Sequence, residues 1–218
     1  MTVTTTSADE SLWLETAAPS TFPALSGDLK VDIAVLGGGI AGLSTALQLK
    51  REGATVAVLE AARVGAGVTG CTTAKVSALQ STIYSTIFSR HGSEAAVAYA
   101  EASLAGVELI AQLAHEERID CELERRPACT YAAVRSDRST VEQEADAARR
   151  AGLAVQLREE IDLPFSTEGA VELADQIQLQ PVRFVQGLAS AVDGDGSHVL
   201  EQTRAMAVNE GSPCHVQT

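Results

Sequence analysis

Three glycines and one carboxylate carry the spacing that could do chemistry. Gly37, Gly39 and Gly42 stand in GGGIAG, a G-x-G-x-x-G string, and Glu60 follows 18 residues after Gly42. The first glycine permits a sharp turn, the second lets backbone approach a pyrophosphate, and the third lets a helix pack closely on a strand. The N–H groups of Ile40 and Ala41, at the positive end of the helix that the string opens, then bind phosphate oxygens. Glu60 accepts hydrogen bonds from ribose hydroxyls, and its charge repels a 2′-phosphate. The string by itself is weak, because glycine-rich turns are common, so its context has to carry the reading.

That context is strand, tight turn, helix, strand. VDIAVL, Val31 to Leu36, has the length and branched content of a buried strand, and Gly37 ends it. From Ile40 to Arg51 the apolar residues Ile40, Leu43, Ala46, Leu47 and Leu49 fall at helical spacing, Gly53 closes the helix, and Ala54 to Leu59 repeats the buried strand. The string follows a strand and opens a helix, and Glu60 stands at the end of the second strand. These residues specify an ADP moiety, with FAD or NAD favoured over NADP.

The segment RVGAGVTGCTTAKV, Arg63 to Val76, has no periodicity and is rich in glycine and threonine, so it reads as a loop of backbone and hydroxyl donors. Strand 2 followed by GAGVTGCTTAK resembles the D-amino-acid-oxidase (glycine oxidase-like) family of FAD oxidoreductases. More narrowly, SLW, GDLKVDIAVLGGGIAGLSTALQL, VLEAARVGAGVTGCTTAKVSAL, the YAEAS helix and IDCELERR are similar to Rieske-bearing members related to gamma-glutamylputrescine oxidase. The resemblance spans nearly the whole chain. It implies FAD as cofactor, with Gly65, Gly67, Thr69, Thr72 and Thr73 facing it. It also implies an amine or amino acid as the small-molecule substrate, oxidised at its C–N bond by hydride transfer to flavin. The residues alone leave two alternatives open: an NAD-dependent dehydrogenase, and a catalytically silent nucleotide-binding module.

Composition narrows the field. The 218 residues carry 29 acidic against 16 basic side chains, a net charge of -13, which argues against a nucleic-acid surface built on clustered Lys and Arg. The longest apolar stretch, near Ile33 to Leu43, falls well short of the roughly 18 residues that would indicate a membrane span. MTVTTTSADE lacks the features of a secretory signal, so a cytoplasmic protein is expected. Cys71, Cys121, Cys129 and Cys214 form no CxxC pair and read as small buried thiols. His91, His115, His198 and His215, with Arg63 and Lys75, receive no catalytic role, and no metal site is expected.

The strand and helix pattern is that of an α/β fold, and the resemblance implies a Rossmann-like FAD/NAD(P)-binding domain with an inserted α+β substrate domain. Residues 1–29 read as a poorly packed arm anchored by Trp13. Residues 30–118 and 181–218 read as an incomplete FAD-binding domain, and 119–180 as a partial substrate-type domain. Helices are expected over Ile83–Arg90 and Glu94–Glu117, over a segment that a Ser139/Glu142 capping box opens and that ends near Gly152, and over Val182–Val192. Strands are expected within Ile119–Val134, in part of Gly169–Leu179, and within His198–Val208 and Pro213–Gln217. The chain shows neither a second glycine-rich segment nor the CxH with later CxxH of a Rieske cluster, so an N-terminal portion, truncated at the C-terminus, is the expected reading.

Overall fold

The computed structural model describes residues 11–218. Its elements run α1 (Leu12–Thr16), β1 (Ile33–Leu36), α2 (Ile40–Arg51), β2 (Val56–Leu59), β3 (Lys75–Val76), α3 (Ile83–Glu116) and β4 (Glu124–Tyr131). They continue with α4 (Arg138–Arg150), β5 (Gln156–Arg158), β6 (Ala170–Gln178), α5 (Pro181–Val192), β7 (His198–Leu200), β8 (Ala207–Asn209) and β9 (His215–Gln217). The described residues divide into two compact units, 11–74 with 113–121 and 180–218, and 75–112 with 122–179. These boundaries differ from those drawn from sequence. Residues 75–112 belong to the second unit because α3 lays Tyr84, Ala96 and Ala100 into that unit's core.

In the first unit β1, β2 and β7 form a parallel sheet in that order. Ile33 stands opposite Val56, and Leu36 opposite Leu59. Parallel neighbours need a crossover, and α2 supplies it between β1 and β2. The central strand β2 is apolar without alternation because both of its faces are covered. Val56 and Val58 are fully buried, and on the other face Ala57 and Leu59 cluster with Leu200, Leu25, Val31 and Val216. α2 contributes Leu43, Ala46 and Leu47 to the core, and α5, opened by Pro181, contributes Phe184, Val185, Leu188 and Ala189. The expectation of two equally buried strands fails at β1. Among the described residues β1 pairs with β2 alone, its residues alternate in exposure, and Leu36 is 49% exposed. An apolar run gives strand propensity; how many neighbours the strand receives is decided elsewhere in the chain.

The expected loose arm is also corrected over residues 11–25. Ser11, Trp13 and Thr16 hydrogen-bond to the body of the unit, Ser20 donates to the Glu201 carboxylate, and the Leu25 N–H donates to Thr203 Oγ1 at 3.0 Å. Polar residues without periodicity look loose in sequence, yet each can satisfy a specific buried partner. Residues 1–10 of the expected arm lie outside the described residues.

In the second unit β6 pairs antiparallel with β3, β4 and β5. β6 covers nine residues of the Gly169–Leu179 span in which a strand is expected. One face packs on α3 and α4 through a core that is largely alanine, with Tyr84, Leu79, Val141, Leu153 and Val171. Glu144 of α4 is fully buried. It accepts the Tyr84 N–H at 2.8 Å, the Ser85 N–H at 2.9 Å and the Ser85 hydroxyl at 2.6 Å, closing the N-terminal turn of α3. The expected capping box does not form. α4 starts at Arg138, which places Ser139 inside the helix, and Glu142 pairs with Arg138 at 3.0 Å instead.

α3 breaks at Gly92, whose φ of 83° and ψ of -178° lie outside helical space, so two helices flank it as expected. By length and composition alone this helical run is apolar enough to cross a membrane, with a mean hydropathy of 1.2 over its best window, which the sequence pattern did not anticipate. Gly92 breaks the run, Tyr84, Ala96 and Ala100 are set into the alanine core, and 22% of the apolar stretch is buried. The cysteines depart from expectation as well. Cys121 is buried, but Cys71, on an irregular loop, and Cys214, between β8 and β9, are exposed, and Cys129 is intermediate.

Candidate functional site

Gly37, Gly39, Ile40, Ala41, Gly42 and Glu60 come together where β1 and β2 end and α2 begins. Gly37 has a φ of +110°, a left-handed turn that its N–H anchors by donating to the Leu59 carbonyl at 2.9 Å. Gly39 is the N-cap of α2 and has no side chain to cover the helix end. At Gly42 a Cβ would run into the Gly37 carbonyl oxygen and lie 3.3 Å from Val35 Cγ1, so only glycine lets the helix start this close to β1. The first turn of α2 carries no acidic residue, while Lys50 and Arg51 sit in its last turn, so the dipole stays complemented at one end and open at the other.

Glu60 is held in one orientation. Its Oε2 accepts the Gly38 N–H at 2.7 Å, its Oε1 accepts the Ala62 N–H at 2.8 Å, and it keeps intermediate exposure. Gly38 occupies a free position of the string and is not marked by the G-x-G-x-x-G pattern. Its signal is the uninterrupted GGG run: a Cβ at Gly38 would crowd Glu60 Cβ at 3.2 Å.

The loop from Ala61 to Ala74 lies beside this turn, and its residues do different things. Gly65, with φ +76°, donates its N–H to the Gly38 carbonyl at 3.1 Å and faces α5, where a Cβ would come within 2.8 Å of Val185 Cγ2. Thr69, in the 3-10 turn Val68–Cys71, accepts the Ile40 N–H on its Oγ1 at 3.3 Å, and that hydroxyl lies 3.2 Å from where a Gly39 Cβ would stand. It sits where a bound anion would meet the helix N-terminus. Gly67 and Thr73 are exposed. The Thr72 hydroxyl accepts the Ala74 N–H at 3.4 Å, and its carbonyl accepts the Trp13 indole N–H at 2.7 Å. Ala74 itself is buried at φ +61°, a conformation that costs a non-glycine residue about 1 kcal/mol.

Two buried polar residues that sequence reading did not single out support this loop. Glu201, just after β7, accepts the Val64 N–H at 2.7 Å. Gln180 accepts the Val182 and Arg183 N–H groups at 2.8 and 3.0 Å on its Oε1, capping α5. An isolated Glu or Gln carries no motif, so nothing in the sequence marked them.

The arrangement fits an ADP moiety. It offers a glycine cradle that a Cβ would fill, a helix N-terminus with no cap side chain of its own and no acidic first turn, where the Thr69 hydroxyl meets the Ile40 N–H, and a fixed carboxylate at the neighbouring strand end.

Comparison with known proteins agrees with this geometry. The family described as DAO, FAD dependent oxidoreductase, matches residues 32–217. A protein described as a Rieske 2Fe-2S iron-sulfur protein, YhfW of Bacillus subtilis, is 30% identical over 97% of this chain and 42% of its own length. Gamma-glutamylputrescine oxidoreductase of Escherichia coli is 27% identical over 90% of this chain and 47% of its own. Among solved structures, glycine oxidase from Geobacillus kaustophilus superposes with a TM-score of 0.71 at 20% identity, over 87% of this chain and 51% of that one. An L-amino acid deaminase from Proteus myxofaciens gives 0.70 at 15% identity, over 90% and 43%. The chain therefore spans about half the length of the relatives it matches.

Proposed function

Since the chain belongs to the DAO family of FAD-dependent oxidoreductases, we propose that its first unit binds the ADP half of FAD. In this reading the protein oxidises the C–N bond of a small amine or amino acid. The observation that carries the reading is the glycine turn with Glu60 fixed beside it by two N–H groups. Gly37 and Gly39 bring the backbone to the pyrophosphate, the Ile40 and Ala41 N–H groups donate to its oxygens, and the Glu60 carboxylate accepts from the ribose hydroxyls. The Thr69 hydroxyl, which accepts the Ile40 N–H at 3.3 Å, would be a further hydrogen-bonding group for the phosphate. Gly65 fixes the loop to the turn and to α5, while Gly67, Thr72 and Thr73 continue the wall. When bound, FAD accepts the hydride of the substrate. The substrate class is supported by glycine oxidase and L-amino acid deaminase among the structural relatives and by gamma-glutamylputrescine oxidoreductase among the sequence relatives. A cytoplasmic location is part of the proposal, supported by four free cysteines, two of them exposed.

Titration of the purified chain with FAD in a calorimeter tests the cofactor site. Saturable binding at a 1:1 ratio, with NAD unable to compete, is the expected outcome; binding of NAD in preference to FAD would replace the reading with a nicotinamide one. Turnover of a panel of amines and amino acids with an artificial electron acceptor tests the substrate class. Tight FAD binding without turnover of any of them would leave a nucleotide-binding module.

A further inference from the structure

The cofactor loop has few regular hydrogen bonds of its own. From the inner side it is tied to the glycine turn by the Gly65 N–H and, through Thr69, by the Ile40 N–H. From the outer side it is gripped by the segment around α1. The Ser11 hydroxyl donates to the Gly70 carbonyl, and the Trp13 indole N–H donates to the Thr72 carbonyl at 2.7 Å. Leu14 lies flat on Gly70, where a Cβ would approach Leu14 Cδ2 to 2.9 Å.

The grip is itself anchored on α5. Gln180 Nε2 donates to the Trp13 carbonyl at 2.8 Å and to Thr16 Oγ1 at 3.1 Å, and Gln186 Nε2 donates to the Ala18 carbonyl at 2.8 Å. Gln180 is 2% exposed and caps α5 with its oxygen while holding the arm with its nitrogen. A continuous chain of hydrogen bonds thus runs from a core helix through the arm to the carbonyls of the loop.

We propose that Ser11 and Trp13 are positioning residues for FAD, the segment Ser11–Ala18 acting as a clip that pre-orders the loop carrying Thr69, Thr72 and Thr73. The inference rests on the flavin-site reading above. A loop that must turn its donors toward a phosphate binds more tightly when its ordering is completed before the ligand arrives. The clip makes no contact with the reacting atoms and acts through the loop. Linkage makes the effect reciprocal: a ligand that orders the loop also holds the clip down.

Two measurements on the whole chain test this. In the first, FAD and ADP affinities are determined by calorimetry for wild type, Trp13→Phe and Ser11→Ala, with the melting temperature of each apo protein. Loss of one loop-holding hydrogen bond is expected to weaken FAD binding roughly three- to tenfold in either variant, and more in the double variant. A melting temperature that falls while the affinities stay at wild-type level would make the contacts merely structural and overturn the proposal.

The second needs no variant. Hydrogen exchange of the amides of residues 12–18 is followed with and without saturating ADP, and at least threefold slowing is expected. Trp13 is the single tryptophan of the chain, so quenching of its emission by acrylamide reports the same docking, and ADP is expected to reduce it. Unchanged exchange and quenching at saturation overturn the clip. A chain that binds neither FAD nor ADP overturns the clip together with the reading beneath it, whereas tight wild-type binding with indifferent variants overturns the clip alone.

Discussion

Glu60 and Glu144 are both carboxylates that accept two backbone N–H groups, and exposure separates their roles. Glu60 keeps intermediate exposure at a strand end, so its remaining lone pairs stay accessible to a ligand. Glu144 is fully buried, and its acceptor capacity is spent on the Tyr84 and Ser85 N–H groups and the Ser85 hydroxyl. Glu60→Ala is therefore expected to weaken FAD binding by roughly tenfold to a hundredfold, the loss of charge-assisted hydrogen bonds to the ribose, as read by calorimetry. Glu144→Ala leaves the buried Tyr84 N–H and the part-buried Ser85 N–H unmet and is expected to cost about 2–4 kcal/mol in urea unfolding, with FAD affinity unchanged in the folded fraction. Burial also raises the Cys129 thiol above its ordinary range, helped by the neighbouring Glu172 carboxylate, so it should react slowly with thiol reagents at neutral pH, and the exposed Cys71 and Cys214 should react first. Glu60 was legible because the string before it fixed its meaning. Glu144 was not, since an acidic residue on an amphipathic helix reads as solvent-facing until its partner is known.

At the scale of elements, β1 and β2 share composition and differ in neighbours. Val58 is fully buried between layers while Leu36 is 49% exposed, so Val58→Ala is expected to cost about 2 kcal/mol and Leu36→Ala less than about 1 kcal/mol. Chemical denaturation of both variants checks the contrast. Just before β1, the Asp32 carboxylate accepts the Thr55 hydroxyl at 2.7 Å and the Thr55 N–H at 2.8 Å, pinning the entry of β1 to that of β2. These bonds, the side-chain one first, hold its pKa below the ordinary aspartate value. A carboxylate depressed in the folded state contributes stability that is fully present above its unfolded pKa and is lost as pH falls through the folded one. The melting temperature is thus expected to decline on the acid side through the ordinary aspartate range of about 3.9 and below, and Asp32→Asn to flatten that limb. An unchanged acid limb in the variant would remove Asp32 from the account. The α2 N-terminus offers a sharper test, because Gly42→Ala must displace the Gly37 carbonyl and is expected to lower stability and FAD affinity together.

At the scale of the molecule, each compact unit has buried residues of its own: β2, α2 and α5 in the first, and the alanine-rich cluster under β4, β5 and β6 in the second. A ligand held by the glycine turn stabilises what it touches, and at a hundred times its dissociation constant linkage supplies about 2.7 kcal/mol. Hydrogen exchange with FAD is expected to show its strongest added protection in residues 37–74, and equal protection across β4 and β6 would place the ligand elsewhere. The sequence by itself determined the strand–turn–helix–strand unit, the glycines and Glu60 proposed to hold ADP, and the family resemblance, because these depend on local spacing: glycine at fixed offsets, apolar residues at the period of a helix or the length of a strand. It also placed the break between two helices near Gly92 and named Trp13 as an anchor. Only the tertiary structure decided that the arm over residues 11–25 is fastened to loop, helix and strand, and that residues 75–112 join the second unit. It likewise decided that β1 keeps an open edge among the described residues, and that Gly38, Gln180 and Glu201 hold the site in shape. Those outcomes depend on which distant groups meet, and a polar side chain or an apolar strand carries no record of its partner until the chain has folded around it.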